Sequence, residues 1–335
     1  MNKSILFSVQ DIEIGDSIKE NIEKVLKDRF NEVFYIKDEY NGKDKTIKYK
    51  ILREILKKIN EKNFLKKFFR NYENKLKKIE VKKYKNIDYF LIISGGKFSK
   101  EFLEELKRNN TNIKIILFLW DKLEYSFWKD KTNNFDYIFS YDRVESLKNN
   151  FIFRPTFFID RCIDNIPDKK YYDLYYIGGL KENKRYEYLV KLKNYLIKNN
   201  IVINFKLYTG RKTLKNLPKY YDKNIIINKK ISYEKNLELI KKSRVVLDIK
   251  YKNQDGLSLR IYEALATNTK IITDSKDIKN YNFYNENNIK IIEKIEDIEK
   301  INIDFFKTNV LKIDEKIKNQ YSVKSFIDDI FKVID

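Results

Sequence analysis

The chain has 335 residues, 42% of them hydrophobic, which is enough for two domains with sizeable cores. Its one cysteine, Cys162, excludes an internal disulfide and fits a reducing compartment; the lack of histidine removes His-ligated zinc, a Ser-His-Asp triad and any histidine base, so acid–base work falls to Asp, Glu, Lys or Tyr. The net charge of +21 would attract a polyanion, but Lys and Asn are spread along the whole chain together with Ile and Tyr, so coding bias accounts for most of it.

Ile5 to Val9 reads as the first strand, and Gln10 to Gly15 as a polar loop holding Asp11 and Glu13. The apolar start is too short for a signal peptide, and no run approaches the roughly 18 apolar residues of a membrane-spanning helix. The expected location is cytoplasmic, with attachment to the inner membrane face as an option. Asp16 or Ser17 caps a helix to about Arg29, with Ile18, Ile22, Val25 and Leu26 on its apolar face. Glu32 to Ile36 is the second strand. This opening is of Rossmann type but lacks G-x-G-x-x-G, which argues against a dinucleotide dehydrogenase.

Residues 41–86 hold seventeen Lys/Arg against five Asp/Glu, more than half of the net charge. Ile51, Leu52, Ile55, Leu56, Ile59, Leu65, Phe68 and Phe69 recur near helical spacing. Such a segment can lie on an anionic bilayer or pack on a sheet with its lysines in water; both readings stay open.

Asp88 to Ile93, Ile113 to Leu119 and Phe135 to Ser140 read as buried strands, and Phe153 to Phe158 closes this half. Ser94-Gly95-Gly96-Lys97, Trp120-Asp121 and Asp142-Arg143 follow strand ends, where doubly wound sheets place ligands. Ser99 caps a helix through Leu106. The domains expected are 1–160, a linker over 161–172, a second Rossmann-like domain over 173–318, and a C-terminal helix in 319–335 that can cross back to the first domain. In the second, Asp173 to Ile177 is a strand and Gly178-Gly179-Leu180 its turn, where backbone N–H groups can approach a phosphate. Lys184 and Arg185 open the next helix. Phe205 to Tyr208 is a strand, Lys229 to Ile231 a short extended piece, and Ser232 caps a helix to Lys241.

The stretch Ser243 to Asp274 then reads strand, loop, helix, strand. Val245 to Ile249 and Lys270 to Thr273 are the strands. Gln254-Asp255-Gly256-Leu257-Ser258 is the turn, and Arg260 to Ala266 the helix. A helix N-terminus offers free N–H groups and a positive dipole end, so the pocket there suits phosphate. Arg260 could pair with it bidentately, and Glu263 could accept hydrogen bonds from sugar or ribose hydroxyls. Asp255 and Glu263 lie eight residues apart, so the loop, not helix geometry, has to bring both to the pocket.

This pattern resembles the nucleotide-sugar site of GT-B glycosyltransferases, many retaining members of which carry Glu, seven residues, Glu. Asp255 stands for the first Glu, while Glu263-Ala264-Leu265-Ala266 fits the second half. The chain is also similar to a set of CgeB-like, capsular or lipopolysaccharide biosynthesis glycosyltransferases. That likeness runs through Trp120-Asp121, Arg154-Pro155, Leu247-Asp248-Ile249, Asn253-Gln254, Gly256-Leu257-Ser258, Arg260, Glu263-Ala264-Leu265, Phe283-Tyr284-Asn285 and Asn287-Asn288-Ile289. It implies an α/β fold of two Rossmann-like domains facing each other across a cleft, and sugar transfer from a nucleotide-sugar donor to a growing surface polysaccharide.

On this resemblance the second domain holds the donor through Gly178, Gly179, Lys184, Arg185, Gln254, Gly256, Leu257, Ser258, Arg260 and Glu263. The first holds a glycan or lipid-linked glycan acceptor. Asp255 would sit near the transferred sugar, and Asp121 is the leading candidate base, with Asp11 and Glu13 behind it. Cations and helix N-termini would stabilise the departing diphosphate with no cofactor and no obligatory metal. The alternatives are a nucleotide-sugar epimerase on the same fold, a nucleic-acid-binding protein, or a membrane-docked scaffold held by 41–86. Nucleic acid is not an expected partner, since no RRM, KH or helix-turn-helix pattern occurs.

Overall fold

The computed structural model describes residues 3–10, 15–37, 77, 79–94, 98–126, 128–180, 183–210, 214, 221–250 and 255–335. The chain divides into two compact units, Met1–Arg154 with Ile334–Asp335, and Pro155–Val333.

The first unit is built on a six-stranded sheet of β1 (Ser4–Val9), β2 (Glu32–Tyr35), β3 (Tyr89–Ile93), β4 (Lys114–Leu119), β5 (Tyr137–Ser140) and β6 (Ile152–Phe153). The order is β2-β1-β3-β4-β5-β6, and every pairing is parallel. Every residue of β1 and β3 is buried, because parallel strands are covered on both faces, and this is why their sequences run apolar without alternation. The helices are α1 (Gly15–Arg29), α2 (Lys100–Asn109) and α3 (Arg143–Asn149). Ser99 and Asp142 cap α2 and α3 by accepting the N–H of Phe102 and Glu145. The core gathers Leu6, Phe90, Ile92, Phe98, Phe102, Leu106, Leu117 and Trp128.

The second unit repeats the plan with β7 (Tyr172–Gly179), β8 (Ile203–Tyr208), β9 (Ile226–Ile227), β10 (Ser243–Asp248), β11 (Lys270–Thr273) and β12 (Ile289–Ile291). Its order is β12-β11-β10-β7-β8-β9, again all parallel. Counted within the unit this is the doubly wound order 3-2-1-4-5-6, so the winding reverses between β7 and β10. Its helices are α4 (Asn183–Lys198), α5 (Tyr233–Lys241), α6 (Leu259–Ala266), α7 (Asp304–Lys307), α8 (Glu315–Asn319) and α9 (Val323–Ile334). The core packs Leu174, Tyr176, Leu189, Leu192, Phe205, Leu207, Val245, Leu247 and Phe306 together.

Several boundaries differ from the sequence reading. Helix α1 begins at Gly15, ahead of the expected caps. In the stretch that closes the first half only Ile152–Phe153 is a strand, because Pro155 has no N–H with which to continue a ladder. The short extended piece falls at Ile226–Ile227 rather than Lys229 to Ile231, and β12 was not foreseen. Gly178-Gly179 is not a turn. Both glycines extend β7, opposite Leu207 and Tyr208 of β8.

The segment from Pro155 to Lys170 belongs to the second unit, where it is tied to α5. Lys241 Nζ donates to the Arg161 carbonyl at 2.6 Å, and Lys170 Nζ donates to the Lys241 carbonyl at 2.7 Å. Helix α9 buries Phe326, Ile327, Ile330 and Phe331, and Phe326 lies against Phe157 with ring centroids 4.4 Å apart. Asp335, grouped with the first unit, accepts from Lys3 Nζ at 2.8 Å, Arg29 Nη2 at 2.7 Å and Tyr89 Oη at 2.9 Å.

Candidate functional site

In an open parallel sheet the place for a ligand is beyond the carboxyl ends of the strands where the winding reverses, since the two connections leave on opposite faces and open a crevice. In the second unit that place is the end of β7 and β10. Their ladder stops at Tyr175 opposite Val246, two residues before β10 ends at Asp248. Arg260, in the first turn of α6, spans the gap. Its Nη1 donates to Asp248 Oδ1 at 3.0 Å and its Nη2 to the Ile177 carbonyl at 2.9 Å. Among the described residues the Nε of the same guanidinium is buried without a hydrogen-bond partner.

Ser258 stands at the N-cap of α6, but its hydroxyl does not cap; it donates to Asp248 Oδ1 at 2.8 Å. One carboxylate oxygen thus gathers the turn, the helix and, through Arg260, strand β7. Burial pulls the Arg260 guanidinium down, but the Asp248 carboxylate, with Tyr176, Tyr175 and Glu263, holds it above its ordinary value. Asp274, at the end of β11, accepts the Lys250 N–H at 2.9 Å, and burial raises its carboxyl.

Gly178 sits beside this bridge. A Cβ there would run into the Tyr176 ring, with Cζ at 2.8 Å and the hydroxyl oxygen nearer still. Tyr176 is buried against Phe205, so the ring has little room to yield. Glycine is therefore needed here for close packing along the strand.

Glu263 lies one turn beyond Arg260 and is only 2% exposed. Burial pushes its carboxyl up to about 7; a hydrogen bond from Tyr233 and the charge of Arg260 oppose the shift, while Asp248 adds to it. Tyr233, the first residue of α5, also has its hydroxyl 3.8 Å from Cys162 Sγ. Burial drives that thiol up to about 12, so it is no nucleophile at neutral pH. Tyr175 donates to Asn236 Oδ1 at 2.9 Å and completes the polar set beneath the crevice.

No protein-family model matches the chain, and no curated protein matches it in sequence. Solved structures do match in shape. The apo lipopolysaccharide outer core galactosyltransferase WaaB superposes with a TM-score of 0.55 at 11% identity, covering 98% of this chain and 99% of its own. An alpha-glucosyltransferase, in complex with UDP and a 13-mer DNA containing a HMU base, gives 0.51 at 11% identity over 100% of both chains. The fold is GT-B. At these identities the likeness is one of architecture, and it does not single out a CgeB-like subgroup.

Within this GT-B chain the expected site residues do not all meet. Gly178, Gly179, Ser258, Arg260 and Glu263 come together at the reversal point, with Gly256 and Leu257 buried in the turn between them. Asp255 is less enclosed, its side chain 42% exposed and its Oδ1 4.0 Å from Lys250 Nζ. Asp121 lies in the first unit, just past β4, with an accessible side chain whose carboxyl is raised by the surrounding protein. Asp11, Glu13 and Gln254 fall outside the described residues, as does most of 41–86; Lys184 and Arg185 belong to α4, but their side chains are not among those described.

Asp248, which accepts from both Ser258 and Arg260, is the residue of this network that site selection from sequence passed over. Its signal was present, a lone acid closing the apolar run Val245-Val246-Leu247. Tyr233 gave no signal, because it reaches Glu263 only through tertiary packing. Among the described residues no group of His, Cys, Asp or Glu is arranged to hold a metal, and no helix is long and apolar enough to cross a membrane.

Proposed function

We propose that the chain is a glycosyltransferase that moves a sugar from a nucleotide-sugar donor to a growing bacterial surface polysaccharide, such as capsule, lipopolysaccharide or exopolysaccharide. The observation that carries this reading is the Arg260 bridge from Asp248 to the Ile177 carbonyl, at the reversal point of the second GT-B sheet and beside the Gly178-Gly179 backbone. Two structures of the same fold support it: one is named a lipopolysaccharide galactosyltransferase, the other was solved with UDP.

In this mechanism the donor diphosphate lies along the Gly178-Gly179 backbone and against the positive charge that Asp248 orients at Arg260. The guanidinium is braced before the donor arrives, so little reorganisation is needed as negative charge builds on the leaving group. Lys184 and Arg185 add charge from the start of α4. Glu263 meets donor hydroxyls and, titrating near 7, can accept or donate a hydrogen bond there. Asp255 stands near the transferred sugar. Asp121, whose raised carboxyl brings it closer to working pH, takes the proton of the acceptor hydroxyl. The departing charge is met by cations rather than by an obligatory metal, on the cytoplasmic side, with the anionic inner membrane face as a docking surface for 41–86.

The test is a thermal-shift panel of UDP-, GDP-, CMP- and dTDP-sugars, with and without EDTA, on wild type and Glu263→Ala. A ligand at 100 times its Kd adds about 2.7 kcal/mol to the folded state. One nucleotide class should raise the wild-type melting temperature, irrespective of EDTA, and raise that of the variant less. If no nucleotide sugar stabilises the wild type, or both proteins respond equally, the donor site is not here.

A further inference from the structure

The first unit has a hollow of about 430 Å3 that none of the preceding chemistry uses. It lies between the segment after β4 and helix α3, and it starts at Lys122, the neighbour of Asp121. Its charged walls are Lys122, Lys129, Lys148, Glu124 and Glu145, and Val144 supplies an exposed apolar surface.

These charges are not equivalent. Glu145 is turned inward and fully engaged: Oε1 accepts the Leu123 N–H at 2.7 Å and Oε2 accepts the Ser140 hydroxyl at 2.8 Å. Burial also raises its carboxyl, against the hydrogen bonds from Leu123 and Ser140. What Glu145 does is brace the wall, pinning the Lys122–Tyr125 turn to the end of β5. Lys122 keeps only 17% of its side chain exposed, and its ammonium stands 3.8 Å from Asp142. Lys129 and Lys148, by contrast, are exposed and have no ionic or hydrogen-bonding partner among the described residues. Two lysines with no such partner and a third held near Asp142 therefore line one hollow together with a single unengaged acid, Glu124. An anion placed in the hollow can gain charge-assisted hydrogen bonds from lysines that have no such partner among the described residues.

We infer that this hollow binds the anionic group of an acidic sugar, a carboxylate or phosphate carried by the acceptor, with Lys129 and Lys148 as its contacts and Val144 against the sugar's apolar face. That the sugar is an acceptor rests on the glycosyl-transfer reading; the anion preference rests on the hollow alone. It narrows the acceptor to a charged glycan and sets its reactive end beside Asp121, the neighbour of Lys122.

The test is calorimetric titration of the full chain, wild type and Lys129→Gln/Lys148→Gln, with glucuronate, glucose 6-phosphate and neutral glucose. Both lysines are exposed, so the double variant should keep the wild-type unfolding curve. At least one acid should bind the wild type, roughly tenfold more tightly than it binds the variant and than glucose binds the wild type; which acid binds identifies the anion. Equal binding by wild type and variant, glucose binding as tightly as the acids, or no binding of either acid overturns the inference. The titration contains no nucleotide, so its failure is separate from failure of the donor panel: acids held by the lysines in a chain blind to nucleotide sugars would keep the hollow and reject the transfer reaction.

Discussion

The two units share a scaffold and differ in where they put polar groups. Each is a six-stranded parallel sheet, but the orders are 2-1-3-4-5-6 in the first and, counted within the unit, 3-2-1-4-5-6 in the second. In the second unit the buried polar network sits at the reversal point, where Arg260, Asp248 and Ser258 tie β7 to β10 and α6. In the first it sits two strands away from the β1–β3 reversal, where Ser140, Asp142 and Glu145 brace the turn after β4. The second network is closed around a guanidinium and a buried acid; the first leaves its lysines facing an open hollow. One architecture can thus hold a preorganised charge site in one copy and an adaptable, solvated one in the other.

The contrast can be broken most sharply at Asp248. Asp248→Ala leaves the Arg260 charge buried without its partner, a loss of about 3–5 kcal/mol for such pairs. Both tryptophans, Trp120 and Trp128, lie in the first unit, so their fluorescence reports that unit, while hydrogen exchange over β7 and β10 reports the other. Exchange should speed up in the second unit, with the tryptophan signal keeping its urea midpoint. Unchanged protection of β7 and β10 would mean that the bridge contributes no stability.

A smaller effect should follow from Glu263, through pH. Its folded carboxyl is raised from an ordinary 4.5 to about 7, so the folded state holds the proton more tightly than the unfolded state. That contribution is fully present below pH 4.5 and is lost as pH climbs through 7, a total of up to roughly 3 kcal/mol. Glu263→Gln removes the titration. Urea unfolding of the second unit between pH 4.5 and 8 should therefore show wild type losing stability relative to the variant, with the difference levelling above 7. Parallel curves would show a carboxylate that stays hydrated.

The smallest effect belongs to the first unit. Lys3, with Tyr89 and Arg29, holds the Asp335 carboxyl down to about 2 against the opposing effect of burial. Its stabilisation is present above the ordinary carboxylate value and disappears as pH falls through 2. The side chain is 36% exposed, so solvent screening limits Asp335→Asn to below about 1 kcal/mol, less in high salt. Tryptophan-monitored unfolding at two ionic strengths measures it; a loss that salt does not touch would point to packing rather than charge.

Much of the fold was legible because it is written in local pattern. Unbroken apolar runs such as Tyr89 to Ile93 and Ile115 to Leu119 announce strands covered on both faces, and Ser99 and Ser232 mark helix starts by the hydrogen bonds their side chains accept. Gly178-Gly179 was misread because glycine has two uses. Its signal for a turn is the same as its signal for close packing, and only the neighbouring Tyr176 ring tells them apart. Ser258 was ambiguous in the same way, since an N-cap serine can serve the helix or a strand-end acid.

By itself, the sequence determined two parallel α/β halves and the chemistry brought to them: no histidine base, one cysteine, and an acid–arginine–glutamate set after a buried strand. These are properties of composition and of spacing within a few turns of chain, which local sterics and burial enforce. The tertiary structure alone decided which of those groups meet. Ile177 and Arg260 are 83 residues apart and Tyr233 and Glu263 lie on different helices, so only the strand order places β7 beside β10 and α5 beside α6. Burial then does what no residue identity can, setting one glutamate near neutrality and leaving others at the surface, because the cost of a charge depends on the protein packed around it.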